Sequence, residues 1–195
     1  MLTQEQLKIL SPSNLKYSEF LQLKEEYRST FFFLLDYEKE ADMKYPVKDY
    51  FTEVPISERS FGEVKEMMEA IQNSNMVYFT EIVLTFPEFD EKKILDELAY
   101  KFFRTIENYV EQVKNLIRYE NELLASRVPN KHAGLVDQID FSEFGSHYIQ
   151  RDTLADGNIL RYDEIDKLPY NKCFLKLLYN IKTDDVQKLA MQSIK

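Results

Sequence analysis

Apolar residues recur along most of this chain with the period of a helix. Phe20, Leu23, Tyr27, Phe31, Leu34 and Ala41 fall three, four or seven residues apart, so their side chains share one helical face. The Ser11-Pro12 restart signal, an N-cap followed by proline, predicts a helix from there to about Met43. Before it, a capping box over Thr3 to Gln6 opens a short helix that ends near Leu10. Pro46 and Pro55 break the pattern and mark residues 45–59 as a connection. A second capping box, Ser60-Phe-Gly-Glu63, precedes Phe61, Val64, Met68, Ile71, Asn75, Tyr78 and Ile82, which alternate as a heptad seam up to Pro87. A further helix starts at Glu88 or Asp90, carries Leu95, Leu98, Phe102, Ile106, Tyr109, Val113, Leu116 and Leu124 on one stripe, and ends near Ser126. The brief connection at Pro87 predicts that these two helices pair antiparallel. At about 1.5 Å per residue they form an elongated pair.

One segment reads two ways. Residues 76–86, Met-Val-Tyr-Phe-Thr-Glu-Ile-Val-Leu-Thr-Phe, are rich in β-branched and aromatic side chains and follow Gln72-Asn-Ser-Asn75. Alone they resemble a buried strand, for which Thr30 to Leu35 is a pairing partner. The seam favours a continuous helix over 61–86.

Beyond Ser126 the helical period is lost over 127–163, which holds Gly134, Gly145 and Gly157. Ala155-Asp-Gly-Asn158 is a tight-turn sequence between His147–Arg151 and Ile159–Tyr162, predicting a small β-hairpin. Helix resumes near Leu168, with Phe174, Leu177, Leu178 and Ile181 as its apolar face, and Thr183-Asp-Asp opens a last helix reaching Ile194. The expected fold is mainly α: an elongated antiparallel bundle of long helices with a small β-hairpin or irregular arm near the C-terminus, α+β being the alternative. The expected parts are a bundle over 1–126, the arm over 127–163 and packing helices over 164–195.

Composition sharpens this picture at a few points. Only four glycines occur in 195 residues, fewer than the turns of a sheet-rich fold demand. A net charge of −9 opposes nonspecific binding to nucleic acid or anionic membranes. Acids dominate from Glu53 to Glu97, whereas Lys167 to Lys182 carries only basic charge. The single cysteine, Cys173, cannot form an internal disulfide or a cysteine zinc site, and its apolar neighbours make it a small buried hydrophobe. The start has neither a basic nor an apolar signal region, and the apolar run Phe31–Leu35 is too short to span a bilayer. A reducing, cytoplasmic setting is expected.

Candidate chemistry is sparse. Carboxylate di-metal bundles place Glu-x-x-His on two helices, and neither His132 nor His147 has that partner. No metal and no cofactor is expected. Asp163, Glu164 and Asp166 cluster, and Glu120, beside Glu122, falls near the core stripe. These acids read as helix-start and surface charges. Arg127-Val-Pro-Asn-Lys-His132 matches the Arg-x4-His pattern of HEPN-type ribonucleases, which are also small helical bundles. The match would make Arg127 and His132 catalytic, but Pro129 stands where those enzymes need helix, so a surface turn is the favoured reading. The Leu168-Pro-Tyr-Asn171 helix start and the lysine- and tyrosine-rich texture are of a kind found in small phage assembly proteins, but cover too few residues to make a family resemblance, and no site residue follows from them.

The expectation is a non-enzymatic structural or assembly protein acting as a homo-oligomer or within a larger complex, with protein partners. Long amphipathic helices carry more apolar surface than one hairpin covers, and the arm is too long for a mere connector. Phe141, Phe144, Tyr148 and Ile149 are its expected interface anchors. The alternatives are the ribonuclease using Arg127 and His132, and an acidic inhibitor that covers a nucleic-acid-binding surface with residues 53–97.

Overall fold

A computed structural model describes residues 8–42, 45–52, 54–125, 128 and 145–193. The fold is mainly α, as expected. The described helices are α1 (Tyr17–Leu21), α2 (Glu25–Asp42), α3 (Phe61–Gln72), α4 (Met76–Leu84), α5 (Glu91–Asp96), α6 (Ala99–Leu123), α7 (Ser146–Leu154), α8 (Tyr162–Asp166) and α9 (Tyr170–Ser193). No described helix is long and apolar enough to cross a membrane. The chain divides into two compact units, one of residues up to 53 with 75–112, the other of 54–74 with 113 onward. The expected boundary at 126/127 lies outside the described residues, and the one at 163/164 falls inside α8.

In the first unit, a short backbone bridge fixes the start of α1 beside the start of α6. The Tyr17 N–H donates to the Glu97 carbonyl at 2.8 Å, and the Ala99 N–H to the Leu15 carbonyl at 2.9 Å. Leu15, Phe20, Phe31, Leu35, Tyr45 and Ala99 are buried together over this bridge. The Phe20 ring packs 5.1 Å from Phe31 and 4.8 Å from Phe103, edge-on to the latter, a favoured arrangement for aromatic rings. Arg104 is buried here, donating to the Leu35 carbonyl at 2.9 Å and to the Asp36 carboxylate. The helix expected from Ser11 to Met43 is therefore two, because the chain turns at 22–24 to bring both α1 and α2 onto the same core.

The seam over 61–86 is also two helices. α3 starts at the predicted capping box: Ser60 Oγ accepts from the Glu63 N–H, and the Glu63 carboxylate accepts from the Ser60 N–H. α3 ends at Asn73, Ser74 takes a left-handed φ of 55°, and Asn75 caps α4 by accepting from the Tyr78 N–H at 3.1 Å. Asn75 is thus an exposed N-cap, not a buried seam residue. Residues 76–84 are helix despite their β-branched composition, with Phe79, Ile82 and Val83 buried. Burial of one face outweighs the modest strand preference of such residues. Likewise the helix expected from 88 or 90 to 126 is α5, capped by Asp90, followed by α6; Phe102, Ile106, Tyr109 and Val113 of the predicted stripe are buried.

In the second unit, the Phe61 N–H donates to the Leu168 carbonyl at 2.7 Å and the Tyr170 N–H to the Arg59 carbonyl at 2.8 Å, joining the start of α3 to the start of α9. The predicted β-hairpin is absent. Asp156 and Gly157 do adopt left-handed φ values of 53° and 74°, but they end α7 instead of turning a hairpin. The Gly157 N–H reaches the Asp152 carbonyl at 3.0 Å and the Asp156 N–H the Thr153 carbonyl, the bonding of a Schellman stop. No strand occurs among the described residues, so the α+β alternative is not realised there. Nor does Thr183 start a new helix. Its hydroxyl donates to the Tyr179 carbonyl at 2.9 Å, and α9 runs through. Cys173 is buried, as expected.

The Asn75 cap is testable. Asn75→Leu removes the acceptor for an α4 N–H and puts an apolar side chain in water, so it should destabilise by about 1 kcal/mol. Asn75→Asp should be close to neutral in urea unfolding. A stabilising leucine would restore the buried-seam reading.

Candidate functional site

The second unit buries a charge that the sequence pattern did not reveal. Lys65 follows Val64 on α3 and is only 2% exposed. Its ammonium donates to both carboxylate oxygens of Glu120 on α6, at 2.5 and 2.6 Å. Glu120 also accepts from the Tyr170 hydroxyl of α9 at 2.7 Å and from the Gln150 amide of α7 at 3.4 Å. The ammonium lies 5.5 Å from the Phe61 ring centre and 5.8 Å from that of Tyr170, within the range of cation–π attraction. One carboxylate therefore gathers donors from three other helices.

Electrostatics follow from this packing. Burial draws the Lys65 ammonium below its usual range, and Glu120 works against that fall. Burial, reinforced by the Glu120 charge, pushes the Tyr170 phenol well above its ordinary value. It also pushes the Cys173 thiol up to about 11, so this thiol is not a nucleophile near neutral pH.

A second cluster sits beside the first. Asp166, at the end of α8, accepts from Arg151 at 2.9 Å and stands 3.3 Å from His147 Nε2. The His147 ring packs edge-on 5.5 Å from Phe61. Burial lowers the His147 pKa; the Asp166 contact opposes this, and the charges of Arg151 and Lys65 add to it. Gly62 makes the approach of α8 possible, since a Cβ there would lie 3.1 Å from Asp166 Cβ. A cavity of about 500 Å³ adjoins both clusters, with Lys65, Gln72, Glu120, Asn121, His147 and Gln150 in its wall. Among the described residues, no His, Cys, Asp and Glu side chains gather in threes as metal ligands would. The Lys65–Glu120 ion pair joins α3 to α6, and hydrogen bonds from Tyr170 and Gln150 bring α9 and α7 to the same carboxylate.

The other feature is a surface. α9 buries only Tyr170, Cys173 and Leu177, all in its first turns. On the opposite side, Leu175, Tyr179, Val186 and Leu189 are each more than half exposed, and their spacing puts them on one face. Of the expected interface anchors, Tyr148 and Ile149 lie on α7 and are 39% and 45% exposed. Phe141 and Phe144 lie outside the described residues, as do Arg127 and His132 of the ribonuclease alternative. Glu120, noted near the core stripe but read as a surface charge, has a side chain only 11% exposed, because Lys65 and Tyr170 bond it from α3 and α9; nothing in the sequence singled out either as its partner.

Two outcomes check this geometry. Glu120→Ala strands the Lys65 charge and should cost about 3 to 5 kcal/mol in urea unfolding. Lys65→Met with Glu120→Met should cost much less than the two single changes together, and strict additivity would mean the pair is not coupled. For His147 the fold favours the neutral ring. Between its lowered value and about 6.5 the unfolded chain binds the extra proton, so this stability is complete above that window and lost as pH falls through it. His147→Gln should therefore shrink the stability difference between about pH 7.5 and 5.5. An unchanged slope would show that His147 does not contribute.

Compared with known proteins, the chain matches no family model, no curated protein and no solved structure.

Proposed function

We propose that the protein is a non-enzymatic structural or assembly component that binds protein partners, itself or other subunits, through the free face of α9. The observation that carries this reading is the row of exposed apolar side chains, Leu175, Tyr179, Val186 and Leu189, on a helix whose fully buried residues all lie in its first turns. Scattered exposed apolar residues are ordinary on a protein surface, but an aligned row on a preformed helix is a ready docking surface. Fully covering a leucine or valine contributes about 1.5 to 3 kcal/mol, so four such side chains supply a useful part of a stable association. The helix is already ordered, so little conformational entropy opposes docking. Ile149 on α7 adds exposed apolar area of the same kind, consistent with the anchors expected from sequence. The buried, unreactive Cys173 suits a reducing compartment such as the cytoplasm.

Sedimentation velocity over a wide concentration range, paired with chemical crosslinking in the source cells, tests the proposal. Val186→Glu with Leu189→Glu should lower the assembled mass or remove the crosslinked partner, while helicity and melting stay near wild type because both side chains are exposed. A wild type that remains a single chain, with the same crosslinked set as the double variant, overturns it.

A further inference from the structure

We draw no further inference here: the strongest candidate, the cavity walled by α3, α6 and the start of α7, belongs to the site already described, where the Lys65 charge is spent on Glu120 and nothing in the structure shows what would fill the space.

Discussion

An ammonium almost wholly removed from water is tolerable only where its charge is met by geometry as well as by sign, and in the second unit that requirement ties the helices together. Lys65 is held by both oxygens of Glu120 and flanked by two aromatic rings. The same carboxylate takes the Tyr170 hydroxyl and the Gln150 amide. Each of these contacts joins one helix to α6, so the full set forms only when α3, α7 and α9 are all placed around Glu120. Buried ion pairs are weak sources of stability but demanding of arrangement, because a mispaired alternative leaves a charge stranded. The neighbouring Asp166 cluster adds α8 to the same set through Arg151 and His147.

That frame also explains why α9 offers a surface. Its first turns are clamped by Tyr170 on Glu120 and by the backbone bridge to Arg59, with Cys173 and Leu177 buried behind them. From Tyr179 onward no described side chain of the helix is buried. Its middle turns still adjoin the chain at the end of α6, where Ile181, Lys182 and Asp185 share a cavity wall with Leu123 and Ala125, so the outward face is held in place without needing to reorganise.

The helical character of the chain was legible because the three-and-four spacing of its apolar residues is a direct record of burial. Capping chemistry was legible at Ser60 and Glu63 for the same local reason. The errors share a physical cause. Asn75 sits on the apolar period by number, yet Ser74 enters the left-handed region and turns the chain, so the residue caps a new helix instead of continuing an old one. Asp156-Gly157 is a genuine left-handed pair, but left-handed residues close helices as well as hairpins, and the difference lies in which carbonyls the following N–H groups can reach. Glu120 was visible on a core stripe, whereas its match with Lys65, 55 positions away, depends on tertiary packing that no local pattern encodes. The inward side of α9 was legible in part, since Leu177 lies on the predicted apolar face and is buried. The outward row of Leu175, Tyr179, Val186 and Leu189 was not.

Gly62 shows how such a frame narrows the choices open to a sequence. Glycine loses more conformational freedom on folding than alanine, and a designer reading helix propensity would replace Gly62 in the first turn of α3. Here the added carbon would press on Asp166 at 3.1 Å, and Asp166 cannot yield freely because it holds Arg151 and stands against His147. The residue best suited to the helix is therefore the wrong one for the neighbourhood. Optimising this protein one helix at a time would loosen the contacts between its helices.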